Sequence, residues 1–331
     1  MNDPRRQALT EWCASTLGSA EFRLSVASED ASFRRYFRLH AGAGTRIVMD
    51  APPEHEPLDR FLQVAALLRE AGVHAPAVYA ADRERGFLLL EDLGVRSYLD
   101  ALDAANADRL FEDAIEALVH WQSSSHPGVL PVYDRELLHR ELMLFPEWYL
   151  EHHLGRELSG ADRAHLEALF RQLEDCALAQ PRVFVHRDFM PRNLMVSDPN
   201  PGVIDFQDAV YGPVTYDALS LFRDAFVSWP AERVMGWLRQ YWERARLAGV
   251  PAHDDFDAFV RDWEWMGVQR HLKVIGIFAR LRYRDCKARY LADVPRFLGY
   301  LRETLPKHEA LSPLLELLAE DSRAPGQERA R

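Results

Sequence analysis

A two-lobed α/β fold, strand-rich at first and mainly helical afterwards, follows from three features of the sequence. Short apolar and aromatic segments of strand length crowd the first 92 residues. Longer segments with helical apolar spacing fill the remainder. The change of character falls at one short junction, Glu91-Asp92-Leu93-Gly94, which suits a hinge better than a flexible linker. The expected division is therefore 1–92 and 93–331, and a chain of 331 residues has the length for two such lobes.

The elements follow in order. Residues 4–17 read as an opening helix, and segments 22–26, 33–39 and 45–49 as strands, the last ended by Asp50-Ala51-Pro52-Pro53. Leu58, Phe61, Leu62, Ala65 and Leu68 then recur at helical spacing up to Gly72, before strand-like 77–80 and 87–90. Beyond the junction, 107–121, roughly 137–152 and 161–179 read as helices, with a break at Pro146. Ser159-Gly160-Ala161-Asp162 has the form of a capping box with Asp in place of Glu, and Leu166, Leu169 and Leu173 supply a core-facing stripe.

Composition excludes several classes. With 51 acidic against 40 basic residues the formal charge is -11, so a nucleic-acid backbone is repelled over most of the surface and no nucleic-acid partner is expected. No apolar run approaches the ~20 residues of a membrane span, so no membrane partner is expected and the address is cytoplasmic. Cys13, Cys176 and Cys286 are too widely spaced for CxxC or zinc-knuckle chemistry and read as reduced thiols. Nothing in the sequence names a protein partner.

The chemistry concentrates in His186-Arg187-Asp188-Phe189-Met190-Pro191-Arg192-Asn193 and, after a turn-rich insertion, Val203-Ile204-Asp205-Phe206. This segment resembles the catalytic loop and metal-binding segment of protein kinases, in which an Asp orients and deprotonates the acceptor hydroxyl while an Asn and a later Asp hold magnesium on the nucleotide phosphates. The resemblance implies a protein-kinase-like fold, Asp188 as catalytic base, Asn193 and Asp205 as metal ligands, and ATP with Mg2+ as cofactors. Two short strands around the insertion predict a hairpin that brings Asn193 beside Asp205. Read singly, each of the three residues equally suits a turn or a cap. His186 reads as a buried imidazole that fixes the loop, and Asp217 as a helix-start carboxylate supporting it. Asp208 suits a turn as well as a substrate contact.

Across most of its length the chain resembles the aminoglycoside-phosphotransferase-like small-molecule kinases, and especially the bacterial N-acetylmuramate/N-acetylglucosamine anomeric kinases. The likeness rests on Asp30-Ala31-Ser32-Phe33-Arg34-Arg35-Tyr36-Phe37-Arg38, Met49-Asp50-Ala51-Pro52-Pro53-Glu54, Leu90-Glu91-Asp92-Leu93-Gly94, the segment just described, and Arg270-His271-Leu272-Lys273-Val274-Ile275-Gly276-Ile277-Phe278-Ala279-Arg280. It implies an ATP-dependent sugar kinase acting on N-acetylmuramate and N-acetylglucosamine at the anomeric hydroxyl in cell-wall recycling. An aminoglycoside or other small-alcohol kinase and a non-catalytic nucleotide-binding protein stand as alternatives. By the same resemblance Ser32, Phe33 and Arg34 belong to a phosphate-covering loop, and Glu91 and Leu93 to the adenine-side hinge. Phe33 otherwise reads as a core side chain and Arg34 as a surface ion pair.

Two departures stand out. Met49 and Asp50 occupy the place where such kinases carry a strand lysine, and the next helix offers no secure Glu partner; Arg34 or Arg35 is the candidate replacement. Gln207 follows Asp205-Phe206 where a glycine is usual, which argues against a glycine-dependent switch. The basic run from Arg270 to Arg289 reads first as a solvated face, and Trp148 and Tyr149 as core or as the wall of a sugar pocket.

Overall fold

In the computed structural model of the chain, which describes residues 3–28, 33–42 and 44–319, helix α1 spans Pro4–Leu17. The Asp3 side chain caps it by accepting from the Arg6 amide, Pro4 fills the first turn, and Gly18 closes it at φ +64°, where a side chain would be strained. Then follow β1 (Arg23–Ser28), β2 (Arg35–Ala41), β3 (Gly44–Asp50), α2 (Leu58–Glu70), β4 (Val78–Asp82), β5 (Phe87–Glu91), α3 (Tyr98–Ala101) and α4 (Ala107–Ser123). Next come α5 (Arg135–Leu142), a π-helical segment (Phe145–His153), α6 (Gly160–Ala179), β6 (Arg182–Val185), β7 (Leu194–Met195), β8 (Gly202–Val203) and β9 (Val210–Pro213). The chain continues through α7 (Tyr216–Phe222), α8 (Ala231–Leu247), α9 (Phe256–Tyr283), α10 (Val294–Thr304) and α11 (Ser312–Ala319). This is the two-lobed, protein-kinase-like α/β arrangement expected, strand-rich first and helical later. No helix among the described residues is long and apolar enough to cross a membrane.

The chain forms two compact units. One comprises Met1–Trp121 with Pro191–Ala209, the other Gln122–Met190 with Val210–Arg331. The first is built on a five-stranded sheet in the order β1-β2-β3-β5-β4, each pair antiparallel. Phe37 and Val48 face one another across β2 and β3 and share a core with Leu9, Trp12, Phe87 and Leu89. Asp50, fully buried at the end of β3, is held by two guanidinium forks, from Arg5 (Nε at 2.9 Å, Nη2 at 2.5 Å) and Arg35 (Nε at 2.9 Å, Nη2 at 2.5 Å). The forks tie α1 and β2 to β3.

The second unit is organised around the 28-residue α9, which packs against the π-helical segment, α6 and α10. The expected helix over 137–152 is in fact α5 followed by the π-helical turn, where the Leu154 amide bonds the Tyr149 carbonyl five residues back. Pro146 brings no N–H to an α-helical ladder, so regular continuation fails there. Ser159 and Asp162 form the expected reciprocal capping box at α6. The basic run is not one solvated face: Arg270 and Lys273 are buried, while Arg282, Arg284 and Arg289 are exposed. Within α9 the buried face takes Arg270 and Lys273, and the exposed cations fall in the last turn (Arg282) or beyond the helix (Arg284 and Arg289).

Gly276 lets α9 approach the π-helical segment closely, since a Cβ there would lie 2.3 Å from the Leu144 carbonyl carbon. Replacing Gly276 by Ala should therefore lower stability by about 1–3 kcal/mol despite the better helix propensity of Ala. A urea unfolding midpoint at or above that of the parent chain would refute this account of the packing.

Candidate active site

In the first unit the paired strands Leu194↔Val203 and Met195↔Gly202 close the expected hairpin. The Ile204 amide bonds the Asn193 carbonyl at 3.1 Å, and the two chemistry-bearing side chains meet: Asn193 Nδ2 donates to Asp205 Oδ2 at 3.4 Å. Asp205 sits at φ +63°, a left-handed conformation that costs a non-glycine residue about 1–3 kcal/mol. Its other oxygen, Oδ1, accepts from Gln207 Nε2 at 3.0 Å. That bond sets the Gln207 amide, because the opposite orientation would press two oxygens together. Gln207 Oε1 is then buried with no hydrogen-bond partner among the described residues. A carboxylate, a carboxamide and an orphaned buried acceptor are the oxygen donors that suit a hydrated divalent cation such as magnesium.

Beside Gln207 lies a cavity of about 230 Å³, lined among others by Arg34, Met49, Glu56, Arg60 and Asp208. Arg34 Nε pairs with Glu56, in the turn before α2, at 3.2 Å. Burial opposes the charge on Arg34, but the fields of Tyr36, Glu56 and Asp205 outweigh it and hold the guanidinium firmly ionised. Arg35 is instead committed to Asp50 and Asp3. Of the two arginines, Arg34 faces the cavity.

In the second unit Asp217, fully buried in the first turn of α7, accepts from the backbone amides of His186 (2.7 Å) and Arg187 (3.0 Å). These bonds hold Arg187 at φ +77° and so set the direction in which the chain enters Asp188. Burial pushes the Asp217 carboxyl up to about 7 although both amides favour its ionised form. His186 is buried, and its Nδ1 accepts from the Asp188 amide at 3.2 Å. Asp188 itself is partly exposed.

The sequence profile described as the phosphotransferase enzyme family matches residues 23–256, well over half of the chain. The chain belongs to that family. It is 53% identical over 330 residues to the N-acetylmuramate/N-acetylglucosamine kinase of Pseudomonas putida, covering 96% of this chain and 97% of that protein. It is 54% identical over 328 residues to the protein of that name from Pseudomonas aeruginosa, with the same coverage. Among solved structures, the choline kinase LicA from Streptococcus pneumoniae superposes with a TM-score of 0.63 at 16% identity, over 91% of this chain and 100% of that one. The aminoglycoside phosphotransferase APH(2'')-Ib superposes with a TM-score of 0.60 at 17% identity, over 88% and 97%. The activity is ATP-dependent phosphotransfer to a small-molecule acceptor.

Not every expected residue of this phosphotransferase takes the expected place. Ser32 lies outside the described residues. Phe33 is not a core side chain: it is 63% exposed and stacks on His55, ring centroids 4.4 Å apart, because β2 begins only at Arg35 and leaves Phe33 beyond the sheet. The Glu91 carboxylate is taken by the Ala77 amide (3.1 Å) and His74 (3.2 Å), and Leu93 is buried where a Cβ on Gly202 would meet it at 2.8 Å. The segment expected as hinge lies inside the first unit and is braced by Arg38, which forks onto Asp92 (2.6 and 3.0 Å) and donates to the Gly94 carbonyl at 2.8 Å. Tyr149 is core, and Trp148 stacks on His152.

The residue that sequence reasoning missed outright is Glu141 of α5. Buried in the second unit, it accepts from Arg187, Tyr133, Lys273 (2.9 Å) and Gln269 (3.3 Å). Its partners lie 8 to 132 residues away along the chain, so no local pattern marks it. Burial would raise the Glu141 carboxyl, but Lys273 and Arg187 prevail and bring it down to about 2. A depressed folded-state pKa contributes stability that is present above the ordinary value of 4.5 and is lost as pH falls through about 2. The Glu141→Gln variant should therefore be less stable near neutrality, by about 3–5 kcal/mol, and lose less of its remaining stability on acidification through that window. Parallel stability-against-pH curves for the two proteins would contradict the assignment.

Proposed function

We propose that this phosphotransferase moves the γ-phosphate of ATP to the anomeric hydroxyl of N-acetylmuramate and N-acetylglucosamine, producing sugar 1-phosphates for cell-wall recycling in the cytoplasm. The observation that carries the reading is the 53–54% identity, over nearly the whole of both chains, to kinases bearing those substrates' names. The nucleotide-binding portion is assigned to 1–92 and the catalytic and acceptor-binding portion to 93–331.

In this reading Asp188 takes the proton of the sugar C1 hydroxyl as that oxygen bonds to the γ-phosphorus. The bond from phosphorus to the β,γ-bridging oxygen breaks, ADP leaves, and the proton on Asp188 passes to solvent. Asn193 and Asp205 would hold magnesium, which when bound neutralises charge on the phosphate oxygens. Arg34, kept ionised and oriented by Glu56, would supply the phosphate-directed charge that a strand lysine supplies elsewhere. Ser32, Phe33, Glu91 and Leu93 complete the nucleotide assignment, Glu91 and Leu93 through their backbone, since the Glu91 carboxylate and the Leu93 side chain are already engaged.

Asp188→Asn should fold with an unfolding midpoint close to that of the parent chain and lose turnover by ~100-fold or more, because the proton acceptor is removed without a change of volume. Wild-type turnover by the folded variant would exclude Asp188 as the base. Through-bond phosphorus–carbon coupling in the purified product should place the phosphate on C1, with the reducing end lost. Coupling to C6 would retain the kinase and reject the anomeric assignment.

Asn193→Ala and Asp205→Ala should each weaken the dependence of turnover on magnesium, Asp205→Ala the more, since it also removes a formal charge. Titrations of magnesium against nucleotide affinity that match the parent chain in both variants would exclude the pair as ligands.

A further inference from the structure

The cavity beside Gln207 is lined by a second arginine, Arg60 of α2, to which the proposed phosphotransfer steps give no role. Leu58 and Phe61 are buried, whereas Arg60, between them in the first turn of the helix, is only partly buried. A cation in that turn meets the positive end of the helix dipole, which disfavours it unless an anion lies close by. The two nearest acids are already engaged: Asp59 is exposed and held by Arg83, and Glu56 is paired with Arg34. No carboxylate pairs with Arg60 among the described residues; its Nη2 donates to the neutral Ala209 carbonyl at a long 3.4 Å.

Two further features of the same cavity point to a ligand. Pro57, Leu58, Arg60 and Phe61 all line it, so the start of α2 borders it directly. Pro57 brings no side-chain cap, and the amides of Leu58, Asp59 and Arg60 have no acceptor within the helix. An open helix end beside a guanidinium suits a phosphate group. Gln207, only 8% exposed, lines the cavity with Oε1 unpartnered among the described residues. That acceptor would repel bare phosphate oxygens and needs a donor between, which water on a divalent cation supplies. Donors for phosphate and an acceptor for a metal's water thus border one cavity, as a nucleotide polyphosphate with its metal requires.

We propose that Arg60 is a second phosphate-directed cation: with Arg34 and the open amides at the start of α2, it makes this cavity the seat of the β- and γ-phosphates of the nucleotide. The inference rests on the ATP-dependent reading with Asn193 and Asp205 at the metal, and adds to it the residue, the helix end and the ligand groups that they hold. If Arg60 served only to tie α2 to the Ala209 carbonyl, its loss would alter stability and leave phosphate recognition unchanged.

Calorimetric titration of nucleotides into the full chain, without sugar and with magnesium present, separates the two roles. Arg60→Gln should weaken ATP by ~10-fold or more, while AMP, which carries neither terminal phosphate, stays within ~2-fold of the parent chain. Arg60→Lys keeps the charge without the planar fork and should fall between the parent and the Gln variant. Unfolding midpoints identify the folded variants. If Arg60→Gln does not fold, Arg60→Lys decides the question, with ATP weakened by ~3-fold or more and AMP unchanged. ATP affinity within ~2-fold of the parent in the folded variants, or equal losses for ATP and AMP, would overturn the role of Arg60.

Asp205→Ala, titrated alongside, separates that failure from failure of the reading beneath it. If Asp205→Ala keeps the magnesium-dependent ATP affinity of the parent chain, the metal–nucleotide assignment itself falls. If Asp205→Ala loses it while Arg60→Gln does not, only the role of Arg60 falls.

Discussion

The second unit depends on one buried acceptor. Asp217 takes hydrogen bonds from two consecutive backbone amides, those of His186 and Arg187, and so holds Arg187 in a left-handed conformation at φ +77°. A non-glycine residue pays about 1–3 kcal/mol for that geometry and keeps it only where the surroundings enforce it. With the backbone bent there, the Arg187 side chain turns inward to Glu141 and the chain runs on directly to Asp188, whose amide is taken by His186 Nδ1. The fully buried Tyr216 of α7 and Tyr133, just before α5, with rings edge-to-face at 5.5 Å, close the cluster. Loop direction, charge and packing are thus consequences of one carboxylate at the start of α7.

The first unit uses the same device. Asp205 is also left-handed, at φ +63°, and both its oxygens are engaged by amide groups, from Asn193 and Gln207. Replacing the expected glycine by Gln207 therefore does more than remove backbone freedom. It supplies a donor that orients the carboxylate and an acceptor, Oε1, that is buried and unpaired among the described residues. At the cavity Met49 is joined by Arg34, which is paired with Glu56 and brings a guanidinium to it. Gln207 is a longer polar side chain where a glycine is usual, oriented by Asp205, whereas the guanidinium at the cavity comes from Arg34, outside β3.

Much of this was legible in the chain. Apolar strand-length runs located the sheet, and helical apolar spacing located α1, α2, α4 and α6, each of which buries one face. The capping box at Ser159 and Asp162 was readable because its bonds span three residues. The Asn193–Asp205 meeting was readable because a hairpin couples sequence distance to register. Phe33 was misread because strand propensity does not mark where a ladder ends, and the basic run from Arg270 to Arg289 because charge alone does not say which residues a helix buries or where the helix ends.

What the sequence by itself determined is therefore local and additive: element type, the hairpin that brings Asn193 to Asp205, the caps, and an ordered Asp–Asn–Asp pattern particular enough to indicate phosphotransfer. What only the tertiary structure decided is collective. It brought Arg34 to the cavity and committed Arg35 to the buried Asp50, and it made Glu141 the shared acceptor for Arg187 and Lys273. The physical reason is that a buried charge is tolerated only where partners converge on it in space. Convergence among residues 46 to 132 positions apart leaves no periodic signal along the chain.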